Sequence, residues 1–177
     1  MSLLKIATVE TATGEVKEIF NEIQSAFGMV PNGIRLWSMN PERLKMAWDN
    51  IKELHSKDED TQKLHTIIRY LISEAEDCKY CIGFNGNMLI NIYGMSQDSL
   101  LEMSKNPSMA PLGNKNKALL LFALKAAENS DAVNIEDINA LKELNISEKE
   151  MYDIVYYASQ MHVVDTLFKT FKVQADA

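Results

Sequence analysis

Ser73-Glu74-Ala75-Glu76-Asp77-Cys78-Lys79-Tyr80-Cys81-Ile82-Gly83-Phe84-Asn85 is the stretch on which the reading of this chain turns. It closes an amphipathic helix in which Leu64, Ile67, Ile68, Leu71 and Ile72 recur at helical spacing and point inward. Asp77 then reads as the cap of a new helix whose first turn holds Cys78 and Cys81. These are the only two cysteines in 177 residues. Two cysteines placed at random would show this spacing about once in a hundred chains. Three residues apart on a helix, two sulfurs share one face and come within disulfide reach after small adjustment. That points first to thiol–disulfide chemistry.

Outward from this stretch the chain reads as all-α. Gly and Pro number 7 and 4 and sit at boundaries, and no run shows the strict alternation of a half-buried strand. A first helix is expected over 14–27, with Val16, Ile19, Phe20, Ile23 and Phe27 on one face and Gly28 as the stop. After the turn Val30-Pro31-Asn32-Gly33 comes a short helical piece. Asn40 then caps a helix running to about His55, with Pro41 at its first position. The next helix starts near Thr61, and the cysteine helix ends near Gly94. Ser96 caps a short helix, and 106–113 is a loop with two prolines. Helices follow over about 115–128, 135–144 and 147–171, the last opened by the capping box Ser147-Glu148-Lys149-Glu150. The sum is a bundle of about eight helices.

An internal echo runs through the second two thirds. The segment 67–77 matches 119–129, and Gly94-Met95-Ser96 matches Asn145-Ile146-Ser147 at nearly the same offset. Two copies of a helix–helix–helix unit would produce it, and so would the shared composition of amphipathic helices. The organisation expected is one domain over 1–177. Residues 1–57 form N-terminal helices, 58–105 a first helical unit with the cysteines, and 113–177 a second unit with Ser130 and Val133 near the cysteine positions.

Bulk properties exclude several classes. A chain of this length buries roughly 70% of its unfolded surface and needs no disulfide staples. A net charge of −7 argues against nucleic acid and anionic membranes as partners. The longest apolar run, 118–124, lies between Lys117 and Lys125 and is too short to span a bilayer. No signal-peptide pattern opens the chain, so a reducing, cytoplasmic setting is the expectation, and there a cysteine pair is redox-active or metal-binding rather than structural.

The chain resembles the carboxymuconolactone decarboxylase/alkylhydroperoxidase D-like superfamily, in its peroxidase-related branch. Several motifs carry the resemblance: Gly28-Met29-Val30-Pro31-Asn32 with Ser38-Met39-Asn40-Pro41-Glu42, the 73–85 stretch, Ala118-Leu119-Leu120-Leu121-Phe122-Ala123, Asn134-Ile135-Glu136-Asp137, and Ile146-Ser147-Glu148. It implies an alkylhydroperoxidase-like helical bundle and a homo-oligomer, trimeric or hexameric. It also implies antioxidant, peroxiredoxin-like reduction of small hydroperoxides. In that scheme Cys81 attacks the peroxide, Cys78 resolves the sulfenic acid into a disulfide, and a lipoyl- or thioredoxin-like dithiol restores the pair.

The chain departs from the family pattern at two positions. A His four residues after the second cysteine is replaced by Asn85, and a Glu twelve residues before the first is replaced by Thr66. Neither replacement takes up a proton near pH 7, so the thiolate must be favoured by its surroundings. The start of a helix lowers a cysteine pKa, more for Cys78 than for Cys81, while the charge of Asp77 works against it. Arg69, on the face of Thr66, would favour a thiolate if it neared the sulfurs; its plainer role is a surface pair with Glu74 or Glu76. His65 is a candidate replacement base although it points about 100° away around the helix. Tyr80 can donate to a peroxide or pack, and His162 can approach the site or serve packing. Gly83 and Gly86 permit close approach of another helix or subunit.

No cofactor is expected, and a metal site is a poor fit, with a zinc shared between subunits as the open alternative. Two cysteines supply half a zinc set, and no His follows at ligand spacing. The ten methionines, among them Met103, Met109, Met151 and Met161, are expected to fill core and interface gaps. Two other functions compete with the peroxidase reading. One is a lactone-acid decarboxylase, which needs no cysteine pair; the other is a non-catalytic oligomeric stress or scaffold protein with a degenerate site.

Overall fold

Helix stops and caps dictate most of the architecture. The computed structural model describes residues 2–176, and among these there are nine α-helices, two single 3₁₀ turns and no strand. The chain divides into two compact units, one of residues 2–58 with 167–176 and one of Glu59–Thr166.

In the first unit α1 (Gly14–Phe27) ends where Gly28 takes φ 77°, a left-handed turn that glycine adopts without penalty. The short α2 (Asn32–Trp37) leads to α3 (Pro41–His55), capped by the Asn40 side chain, which accepts from the Arg43 N–H. Ile19, Phe20 and Ile23 of α1 and Leu44 and Trp48 of α3 form its core. Phe27 is the exception on the α1 face: it is exposed, with its ring set edge-on to Trp48 at 5.6 Å.

The second unit is built around α4 (Glu59–Ala75), which packs on α5 (Lys79–Asn91) and α7 (Asn114–Glu128). All five apolar positions read inward from the sequence of α4 are buried. Gly86 of α5 lies against the ring of Tyr70, where an added Cβ would meet Cε2 at 3.4 Å; Gly83 has open space around it. Helices α6 (Gln97–Lys105), α8 (Ile135–Glu143) and α9 (Glu148–Thr170) complete the bundle. Met103, Met151 and Met161 fill the core of this unit, whereas Met109 is exposed.

The sequence echo has a structural counterpart at the corner before α6 and before α9. Gly94 (φ 65°) and Asn145 (φ 57°) both turn left-handed. Buried Met95 and Ile146 follow, donating back to the Leu89 and Leu141 carbonyls. Ser96 and Ser147 then cap the next helices, Ser147 and Glu150 bonding reciprocally. The other corner differs. Asp77 turns left-handed (φ 54°), whereas its counterpart Asn129 stays extended (φ −150°) and leads into a 3₁₀ turn. This tight corner corrects the expected cap: Asp77 ends α4, the Cys78 N–H reaches back to the Ser73 carbonyl, and Cys78 itself is the N-cap of α5. No helix of the described residues is long and apolar enough to cross a membrane.

Candidate active site

The corner at Asp77 delivers both cysteines to one spot. Cys78 occupies the N-cap of α5, and Cys81 follows three residues later within the first turn. Asp165, from α9, faces them. The two sulfurs and a carboxylate oxygen of Asp165 lie within 4.8 Å of one another. Cys78, Cys81 and Asp165 are 1%, 3% and 0% exposed, and both cysteines are free thiols. Ser73, buried in the last turn of α4, donates to the carboxylate at 3.1 Å and 3.2 Å to its two oxygens.

Electrostatics divide this group. Burial raises the Asp165 pKa, against the hydrogen bonds of Cys81, Cys78 and Ser73, and the negative charge of Glu76 raises it further. The thiols titrate as a coupled pair. Hydrogen bonding from the Cys81 side chain draws the Cys78 thiol down, against burial and the Asp165 charge. The Cys81 thiol is pushed well up, first by its bond to Cys78, then by burial and Asp165. Cys78 also stands at the helix N-terminus, where the peptide dipoles favour a thiolate.

The raised acid leaves a signature in stability. An Asp held above its unfolded pKa of about 3.9 binds more protons in the folded state, so its contribution is largest below that value and declines as pH climbs toward the folded pKa. Urea unfolding of the reduced protein is expected to show this decline above about pH 4. Asp165→Asn flattens it; an unchanged pH slope in the variant would assign the decline to other groups.

Around this group the candidate supporting residues form a second network. Arg69 donates from Nε to Asn85 Oδ1 (2.7 Å), from Nη2 to Thr66 Oγ1 (2.9 Å) and from Nη1 to the Tyr157 hydroxyl (2.5 Å). Asn85 in turn donates to the Cys81 carbonyl at 2.8 Å. One guanidinium thus ties together Thr66 and Asn85, and neither Glu74 nor Glu76 pairs with it. Glu74 accepts from the Tyr70 hydroxyl at 2.9 Å, and Glu76 lies 3.0 Å from His162 Nδ1. The charge bearing on the thiols is that of Asp165 rather than of Arg69. Tyr157→Phe leaves a half-buried guanidinium N–H without its acceptor and is expected to cost about 1.5–3 kcal/mol in urea unfolding. A loss below about 0.5 kcal/mol would mean that water replaces the hydroxyl at no cost.

The other candidates have packing or bonding partners. His65 lies against the Tyr157 ring, centroids 4.0 Å apart. Tyr80 stacks on Phe84 at 5.9 Å. Both His162 nitrogens face acceptors, Glu76 Oε1 and the Ala127 carbonyl (3.2 Å).

Sequence reasoning missed Asp165 and Ser73. The signal for Asp165 is present: Ile154, Ala158, Met161 and Asp165 recur at spacings that line one helix face, and all four are buried. An acid on an apolar stripe is a functional pointer, because such groups are almost never buried without a partner.

The helical fold is also that of solved structures. An uncharacterized peroxidase-related protein from Ralstonia eutropha, described as an alkylhydroperoxidase AhpD core, superposes with a TM-score of 0.82 at 23% identity, covering 99% of this chain and 92% of its own. The chain has the alkylhydroperoxidase D core fold. A second uncharacterized peroxidase-related protein, from a Silicibacter species, superposes with a TM-score of 0.81 at 21% identity over 99% of this chain and 92% of its own. No protein-family model matches the sequence, and no curated protein matches it. At the two positions where the resemblance implied a His and a Glu, this chain has Asn85 and Thr66, both bound to the Arg69 guanidinium, and an acid from α9 lies by the thiols.

Proposed function

We propose that the protein is a thiol peroxidase that reduces small hydroperoxides through a Cys78–Cys81 dithiol/disulfide cycle, with Asp165 as its proton carrier. The observation that supports this is the convergence of two free thiols and one raised-pKa carboxyl within 4.8 Å. A thiolate attacks the terminal peroxide oxygen and forms a sulfenic acid as the O–O bond breaks; protonated Asp165 supplies the proton that turns the leaving alkoxide into alcohol. The second thiol gives its proton to the ionised Asp165 and attacks the sulfenic sulfur. The S–S bond forms, hydroxide leaves, and the same proton converts it to water. Two thiols are oxidised and one hydroperoxide is reduced to alcohol and water. An external dithiol, lipoyl- or thioredoxin-like, returns the electrons. The working form is a homo-oligomer, trimeric or hexameric.

Charge favours Cys78 for the attack, with Cys81 resolving. The family resemblance implies the reverse order. Single-turnover thiol loss tests the function as a whole: anaerobically reduced protein is mixed with an organic hydroperoxide, quenched and thiol-counted. Loss of both thiols far faster than for free cysteine supports the cycle. Loss no faster than free cysteine removes it and leaves the scaffold reading, which the near-complete burial of both sulfurs favours.

A further inference from the structure

We propose that the reduced Cys78–Cys81–Asp165 group is a binding site for a thiophilic divalent cation of the zinc type. The inference concerns the same side chains as the proposed peroxidase but does not depend on that activity. Two cysteines alone are half a tetrahedral set; the structure supplies a third protein donor from a different helix. Bonds of about 2.3 Å to sulfur and 2.0 Å to oxygen put tetrahedral ligand atoms about 3.5–3.8 Å apart. The donors here, all within 4.8 Å, need to close by about 1.3 Å at most to meet them.

Three further features fit a cation. Ser73 bonds both oxygens of Asp165 and holds the carboxylate in orientation, as the outer partners of metal-ligating carboxylates do. Among the described residues no Lys, Arg or His forms an ion pair with buried Asp165; the nearby Glu76 pairs with His162 instead. A divalent ion supplies the positive charge that the group lacks and displaces the thiol protons. Thiolate donors favour zinc and cadmium over magnesium or calcium. Three protein ligands leave the fourth position to water or a small exogenous ligand. Because metal and disulfide claim the same two sulfurs, the ion binds only the reduced protein and shields it from oxidation.

The test uses full-length reduced protein without oxygen. Cadmium titration followed by its thiolate charge-transfer band, and zinc titration against a chromophoric chelator, are expected to saturate at one ion per chain. Asp165→Asn weakens zinc binding by at least about tenfold, and Ser73→Ala by about 10–100-fold through the loosened carboxylate. Protein oxidised to the disulfide shows neither signal. Two results overturn the proposal: no charge-transfer band at stoichiometric cadmium, or zinc affinity unchanged in both variants. If Asp165→Asn loses its helical circular dichroism, Ser73→Ala and the oxidised parent decide the matter. A protein that binds zinc but ignores hydroperoxide sinks only the peroxidase reading; one that reduces hydroperoxide but ignores both metals sinks only this one.

Discussion

Asp165→Asn is expected to slow single-turnover oxidation by an alkyl hydroperoxide about 10²–10⁴-fold, the usual worth of a positioned proton donor. Asn keeps the shape and can still accept from Ser73, but it neither gives nor takes a proton near pH 7. Two effects compete in the variant. Removing the carboxyl removes one of the influences that raise both thiols, so the thiolate forms more readily. The alkoxide, however, must now leave unprotonated. The second effect prevails for alkyl hydroperoxides because an alkoxide is a strong base. It fades for a peroxyacid, whose carboxylate leaves without help. A variant that is slow with alkyl hydroperoxide and near-parental with peroxyacid identifies Asp165 as the proton donor. Equal slowing with both substrates would make it a structural residue. The parent should lose rate at high pH as Asp165 ionises and at low pH as the thiolate is protonated, and the variant should keep only the low-pH limb.

The two single serine variants are expected to differ in kind although both lose turnover. Cys81→Ser keeps a hydroxyl donor beside Cys78, so the Cys78 thiolate still forms and still attacks. With no resolving thiol the reaction stops at a Cys78 sulfenic acid, which a nucleophilic trap labels after one equivalent of peroxide. Cys78→Ser leaves Cys81, whose thiol is held up by burial and Asp165, and thiol loss falls to the rate of free cysteine or below. Labelling at Cys81 in the Cys78→Ser variant, with none at Cys78 in the other, would reverse the roles and restore the order implied by the resemblance.

Most helix ends of this protein are written in short-range sequence. Gly28, Asn40-Pro41, Ser96 and the Ser147–Glu150 box mark them through local backbone chemistry, and each stands where its residues predict. The boundary at Asp77 departs from this pattern. Asp commonly caps a helix start, yet the left-handed conformation of Asp77 makes it the end of the preceding helix, and this one-residue difference puts Cys78 rather than its neighbour at the helix start. Thr66, Arg69 and Asn85 are each visible as candidates in the sequence, but their joining through one guanidinium is not. Their side chains meet only once α4 and α5 are packed.

By itself the sequence determined an all-helical chain with one cysteine pair on one helix face, because helix periodicity, capping and i,i+3 spacing are properties of neighbouring residues. The chemistry of that pair was decided by tertiary structure alone. Asp165 lies 84 positions beyond Cys81, and only the packing of α9 in the second unit brings its buried carboxyl, with its pKa raised by desolvation, against the sulfurs. A buried group's charge state depends on what surrounds it in space, and no local reading of residues contains that information.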